Sequence, residues 1–392
     1  MKTKWRLPRG VDELLPPQAW ELEKLRRSIL DLYHSWGFEY IEPPVIEYLD
    51  ALLVGSGEDL DLQTLKVVDQ VTGRQLGVRA DVTSQAVRID SHSLVTDDIQ
   101  RLCYAGNVVF ANPQIGSSSR VPFKAGAELF GSPSLAADAE VVNLMIATAE
   151  VAGIQGAVLL LGHMGIYRTL IAALMETTET QIDEEALFKC IQRKSKADIE
   201  ALLPNTPVAQ MLADLPLLMG DLSIIETARE RLGSAPDEVH QALDDLETLV
   251  GLIRAQHDDI VIRIDVSELS GYGYHNGPVF ALYHPEHGSA LAQGGRYDGV
   301  GGAFDPDRGR AATGFDLDLK ALVSAGAAET SNLIFAPWSD DSALTESRLA
   351  KIAELRNEGR RVRSALAEDE GIPGECSHIL VAEDGEWRVK PA

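Results

Sequence analysis

Positive charge is scarce in this chain. Its 392 residues set 35 Lys+Arg against 60 Asp+Glu, so 35 − 60 leaves a formal charge of −25. A nucleic-acid backbone demands a basic footprint, and short clusters such as Arg360, Arg361 and Arg363 inside an acidic tail do not supply one. That cluster is matched in density by Lys24, Arg26 and Arg27 and by Arg193, Lys194 and Lys196, none of them a continuous basic footprint, so with the net charge of −25 nucleic acid is not expected as the main partner. Cysteine is scarcer still. Cys103, Cys190 and Cys376 show no paired spacing, which excludes a disulfide framework or a zinc site and fits a reducing cytosol. No run of ~18 apolar residues occurs, and the opening MKTKWRLPRG holds no apolar signal core, so no membrane span and a cytoplasmic location are expected. Phosphate-loop, GxGxxG and nucleophile-elbow patterns are missing too. His284-Pro285-Glu286-His287 has the look of a metal clip. Adjacent ligands without a fourth partner read better as a solvated turn, so no metal is expected.

What is present is an ordinary globular composition, 45% hydrophobic and 24% charged, at a length that calls for two or three domains. Pro17 opens a helix whose apolar positions, Leu22, Leu25, Ile29, Leu32, Tyr33 and Trp36, recur at helical spacing until Gly37. A short strand, residues 38–41, runs into Pro43-Pro44 and so marks an edge or a crossover. A hairpin turns at Thr72-Gly73, between residues 65–69 and 75–79. Strands over 100–110 and 121–131 flank a polar Gly/Ser loop, and Ser134 caps a long helix that ends at Gly153. Residues 163–256 read as helical throughout, an insertion between the strands 157–161 and 260–266. Successive strands with short turns up to Leu317 favour an antiparallel sheet. The Ala/Ser/Gly-rich stretch 324–331 reads as a linker between a domain over 1–325 and a small α/β module over 331–392.

Three clusters carry chemistry. In LSGYGYHNGPVF, glycines at 271, 273 and 277 interleave with Tyr272, Tyr274 and His275, as in a loop folded over a small flat ligand, or in a turn packed on itself. Asp81 and Thr83 sit where a helix begins, either capping it or holding a cationic amine beside a pocket. Lys124, Gly126 and Glu128 share one strand face, turned to solvent or to a polar cavity.

Together these segments resemble histidyl-tRNA synthetase, a class II aminoacyl-tRNA synthetase, over roughly residues 5–325. The first helix and strand look like motif 1, the dimer interface. VRADVT is similar to LRPEGT, AELFG to EVFG, and YGYHNGPVF to LDYYTGTVF. AQGGRYDG repeats AGGRYDG and brings Tyr297, and TGFDLDLKAL stands at motif 3. The resemblance implies an α+β class II synthetase-like fold with an antiparallel sheet flanked by helices. It also implies a histidine-binding set of Asp81, Thr83, Glu128, Tyr274, His275 and Tyr297, under a loop with Ser270, Gly271, Gly273 and Gly277.

The departures change the implied activity. By the same resemblance the arginines that grip ATP and substrate fall on Val109, Ser270 and Ala321, a motif 2 glutamate on Ala111, and a pocket glutamine on Lys124. Losing one preorganised donor to a developing charge costs ~3–4 kcal/mol, so adenylate formation should be lost. An amino-acid pocket without an ATP side resembles the regulatory subunits of ATP phosphoribosyltransferase, non-catalytic paralogues of the synthetase. That resemblance implies L-histidine as an allosteric ligand with no cofactor. It further implies a short-form catalytic subunit as partner and a class II homodimer within a hetero-octamer. The competing expectations are a divergent synthetase-like enzyme activating histidine or another amino acid, and an amino-acid sensor with a different client.

Overall fold

The computed structural model describes residues 6–55, 58–113, 119–177, 182–325, 332–339, 342–383 and 386–392. The chain divides into two units, Met1–Gly326 and Ala327–Ala392.

In the first unit α1 (Gln18–Ser35) buries Ile29 and Tyr33 and stops where Gly37 takes φ +82°. The chain then enters β1 (Glu39–Tyr40). β2 (Ile46–Tyr48), β3 (Leu65–Val68) and β4 (Gln75–Val78) form a separate antiparallel sheet in the order β2-β4-β3, with α2 (Leu49–Leu52) and α3 (Glu58–Gln63) between its first two strands. α4 (Thr83–Arg88) continues into a π-helical turn over Ile89–Ser93. β5 (Gln100–Asn107) and β6 (Phe123–Phe130) are shorter than the stretches read from sequence. Of the Gly/Ser loop between them, residues 114–118 lie outside the described residues.

Ser134 caps α5 (Leu135–Val151), accepting from the Ala136 N–H at 3.1 Å. β7 (Val158–His163) leads into the helical stretch: α6 (Met164–Thr177), α7 (Glu184–Gln192), α8 (Lys196–Leu202) and α9 (Pro207–Asp214), then β8 (Met219–Gly220), α10 (Ile224–Arg231) and α11 (Asp237–Arg254). β9 (Val261–Asp265), β10 (Pro278–Tyr283), β11 (Ala292–Arg296), β12 (Ala312–Asp318) and α12 (Leu319–Ala325) complete the unit.

Nine strands form one sheet in the order β1-β5-β6-β12-β11-β10-β7-β9-β8. It is mixed rather than purely antiparallel, because β1–β5 and β7–β9 pair in parallel. A tight turn joins only antiparallel neighbours, and the long helical route from β7 to β9 supplies the crossover a parallel pair needs. β8 also corrects the expectation of unbroken helix over 163–256, since Met219 and Gly220 add an edge strand to β9. One face of the sheet buries Ala125, Ala127, Leu129, Phe315 and Leu317 against α5, and α5 in turn packs on α1 and α11. The inserted helices bury Leu187, Ile191, Leu212, Leu243 and Leu246 in that same apolar cluster. Among the described residues no helix is long and apolar enough to cross a membrane.

The second unit is a four-stranded sheet of β13 (Leu333–Ala336), β14 (Val362–Ser364), β15 (Cys376–Glu383) and β16 (Glu386–Pro391), in the order β14-β13-β15-β16. Ile352 and Leu355 of α13 (Ser342–Asn357) join Ile334, Ala336 and Leu380 in its core. Of the sequence-read linker, 326–331 lie outside the described residues, and Ser324 and Ala325 close α12.

Candidate ligand cleft

Side chains alternate faces along a strand. With Ala125, Ala127 and Leu129 on the apolar side, β6 turns Lys124, Gly126 and Glu128 to the other, where a cleft of about 1640 Å³ opens. Strand register then sets a row across it. Tyr104 on β5 and Asp316 on β12 both lie opposite Gly126, and Gln293 on β11 lies opposite Asp316. Glycines make the room. A Cβ on Gly126 would stand 2.4 Å from the Tyr104 hydroxyl, and one on Gly314 would strike the Glu128 carboxylate.

All six residues of the candidate set, Asp81, Thr83, Glu128, Tyr274, His275 and Tyr297, line this cleft. Glu128 is 1% exposed. Tyr297 donates to its Oε2 at 2.5 Å, and Tyr104 donates to its Oε1 at 3.1 Å. The Thr83 hydroxyl lies 3.4 Å from that of Tyr104. Burial, reinforced by the charge of Asp81, pushes the Glu128 carboxyl up to about 8, against the pull of its two tyrosines. Asp81 is also raised, by burial and then by Asp316. Burial likewise raises the phenols of Tyr104, Tyr274 and Tyr297 well above their ordinary range. Asp81 does not cap α4 in the usual way. Its Oδ1 accepts from the adjacent Val82 N–H at 2.7 Å and from the Thr83 hydroxyl at 3.3 Å, and no side chain caps the helix.

The glycine loop reaches the cleft through Ser270, Gly271, Tyr272, Gly273, Tyr274 and His275. Gly271 takes φ +73°, and the His275 ring packs so close that a Cβ there would meet it at 2.3 Å. Gly277 departs from expectation. It is buried at the loop's base, where a Cβ would come within 2.8 Å of the Arg296 side chain, and it does not line the cleft. The Tyr274 ring lies 4.8 Å from that of Tyr297, and its buried hydroxyl has no hydrogen-bond partner among the described residues. Burial lowers the His275 imidazole to about 4, so near neutral pH it is uncharged, with Nδ1 3.3 Å from the Arg296 carbonyl.

Sequence reasoning missed Tyr104, Asp316 and Arg168. Lys124 Nζ contacts Asp316 Oδ1 at 2.5 Å inside the cleft. Burial alone would depress this lysine, but Asp316, Asp318 and Asp81 outweigh it and raise the pKa. Arg168 of α6 lies under the loop, its guanidinium 4.8 Å from the Tyr272 ring and donating to the His275 carbonyl at 3.0 Å.

The cleft is poor in cations. Its three lysines each hold a carboxylate, Lys124 with Asp316, Lys189 with Glu185 and Lys320 with Asp12, and no arginine lines it among the described residues. Ser270 and Ala321 stand in its lining, where the resemblance implies absent arginines. Val109, the third such position, does not line the cleft, whereas its neighbour Phe110 does. The two imidazoles of the His284–His287 turn lie 5.5 Å apart, and His284 Nε2 is 3.1 Å from the Gln155 carbonyl. No group of three His, Cys, Asp or Glu side chains among the described residues could hold a metal.

Residues 10–322 match the family model of histidyl-tRNA synthetase, and residues 331–390 match that of the ATP phosphoribosyltransferase subunit HisZ C-terminal domain. A protein of Ectopseudomonas mendocina named ATP phosphoribosyltransferase regulatory subunit is 42% identical over 393 residues, covering 99% of this chain and 98% of its own. One of the same name from Chromohalobacter salexigens is 44% identical over 395 residues with the same coverage. The chain belongs to the ATP phosphoribosyltransferase regulatory subunit family. Among solved structures, the ATP phosphoribosyltransferase regulatory subunit/histidyl-tRNA synthetase of Bacillus halodurans superposes with a TM-score of 0.79 at 26% identity, covering 92% of both chains. Histidyl-tRNA synthetase of Nostoc superposes equally well, at 0.79, with 17% identity over 100% of this chain and 97% of its own, a likeness of fold alone. The class II synthetase-like architecture, with a helix-flanked sheet and a small C-terminal module, is therefore a family property.

Proposed function

We propose that this chain is a non-catalytic regulatory subunit of ATP phosphoribosyltransferase. It activates a short catalytic subunit and contributes to feedback inhibition by L-histidine at the first step of histidine biosynthesis. The carrying observation is the cleft itself, rich in carboxylates and aromatic rings and, among the described residues, without an arginine. In this reading Asp81 and Glu128 pair with the ligand's α-ammonium, Thr83 adds a hydrogen bond, and Tyr274, His275 and Tyr297 enclose the imidazole. The unpartnered Tyr274 hydroxyl supports that assignment, since a buried hydroxyl gains from a ring nitrogen within reach. Synthetase activity is lost, because no arginine lines the cleft among the described residues and Ser270 and Ala321 offer no charge to a triphosphate.

The names of the full-length relatives support the partner, the class II resemblance supports a homodimer, the resemblance to the regulatory subunits supports a hetero-octamer, and the formal charge of −25 speaks against nucleic acid as a partner. The test is phosphoribosyl-ATP formation by a short-form catalytic subunit from the same source, with and without this chain, then with histidine. A rise in rate that histidine reverses supports the proposal. An unchanged rate and no co-elution overturn it, and histidine-dependent ATP–pyrophosphate exchange by the chain alone would replace it with the synthetase-like reading.

A further inference from the structure

An α-amino acid is a zwitterion, and Asp81 and Glu128 answer only its ammonium. A carboxylate entering a cleft this acidic needs a cation beside it. Lys320 is engaged by Asp12 and by the Val121 carbonyl, and Lys189 by Glu185 on α7. Lys124 alone of the three shares a strand and a face with Glu128.

Its reach is set by register. The ammonium is held at Asp316, and Asp316 lies opposite Gly126, midway between Lys124 and Glu128. The charge therefore sits two strand positions, about 7 Å, from the Glu128 level. That gap matches two charge-assisted hydrogen bonds of about 2.8 Å each around the short span between the two charged groups of an amino acid. An ammonium carries three donors, so Lys124 can keep Asp316 and still bind a second acceptor.

We propose that Lys124 receives the ligand's α-carboxylate and so restricts the cleft to free amino acids, excluding the corresponding amines and amino alcohols. This rests on the amino-acid reading of the cleft given above. Asp316 acts as the positioning residue that holds the lysine tip beside the ammonium site.

The test is calorimetric titration of the full chain with L-histidine and with L-histidinol, which carries a hydroxymethyl group in place of the carboxylate. The unaltered chain should bind histidine at least ~10-fold more tightly than histidinol, the size of one charge-assisted hydrogen bond. Lys124→Gln should bring that ratio close to one, and Lys124→Arg should restore most of it. Equal binding of the two compounds by the unaltered chain overturns the proposal and leaves the amino-acid reading standing. An equal loss for both compounds in Lys124→Gln also overturns it, because the lysine would then act only through Asp316. Failure of the unaltered chain to bind either compound overturns the amino-acid reading and the proposal with it.

Discussion

The guanidinium of Arg168 stacks 4.8 Å from the ring of Tyr272, and the two belong to different parts of the fold, the inserted helices and the glycine loop. The same ring meets Tyr167 and Phe188 at 5.2 Å each, so the loop's first tyrosine is anchored on α6 and α7. Two residues further on, Tyr274 packs on Tyr297, which donates to Glu128. One short segment thus touches the helical insertion with one ring and the acidic pocket with the next.

Arg168→Ala should loosen this anchor. A cation–π contact with its accompanying hydrogen bonds is worth about 1–2 kcal/mol, which corresponds to roughly a tenfold loss of histidine affinity. Amide hydrogen exchange over residues 270–277 should accelerate, while the oligomeric state by size-exclusion chromatography stays the same. Unchanged exchange would show that the loop holds its position without α6.

Removing Asp81 or Tyr274 separates binding from assembly. Asp81→Ala takes away a carboxylate proposed for the ammonium, and Tyr274→Ala takes away the ring and the unpartnered hydroxyl. Each should abolish the histidine response in the phosphoribosyl-ATP assay and leave activation of the catalytic subunit in place. Loss of co-elution with the catalytic subunit would make these residues structural instead.

Glu128 imposes a pH dependence on stability. Its carboxyl titrates near 8 in the fold against 4.5 ordinarily, so between those values the native chain holds a proton that the unfolded chain has released. Stability from this group is therefore complete below about 4.5 and declines as pH rises to about 8, by at most ~1.4 kcal/mol per pH unit. Glu128→Gln removes the decline. Thermal melts of the two proteins between pH 5.5 and 8 should diverge, with the unaltered chain losing ground as pH rises. Parallel curves would mean that the carboxyl is not held protonated.

How much of this was readable in advance follows from distance along the chain. Period-two spacing on one strand is enough to place Lys124, Gly126 and Glu128 together, and a helix ended by Gly37 is a local signal. Tyr104 and Asp316 carry no such mark. Asp316 is 192 positions from Lys124, and only the pairing of β6 with β12 brings them into contact. Arg168 lies in an ordinary amphipathic helix, and its role appears only once Tyr272, 104 positions later, folds over it. The antiparallel expectation fails for a related reason, since short turns reveal neighbours but a long helical crossover conceals a parallel pair.

Arg296 and Asp138 form the buried joint beneath the loop. Asp138 is fully buried and accepts from Arg296 Nη2 at 2.6 Å and from Nε at 3.1 Å. The remaining guanidinium hydrogens go to the Ser132 and Ser134 carbonyls and to Asp298. Asp298 and Asn276 then exchange backbone-to-side-chain hydrogen bonds at 2.8 and 3.0 Å, which fixes the loop's far end to the end of β11. Burial pushes the Asp138 carboxyl up, and Arg296 opposes that shift. Arg296→Met would leave this carboxyl buried and unpaired, which costs about 3–5 kcal/mol. The expected result is a marked fall in Tm together with loss of histidine binding. Arg296→Met combined with Asp138→Asn removes the stranded charge and should regain part of the stability, with binding still weak because the loop's base has lost its clamp. Should the double variant be no more stable than the single one, the cost would lie in the lost carbonyl contacts to Ser132 and Ser134 rather than in the buried charge.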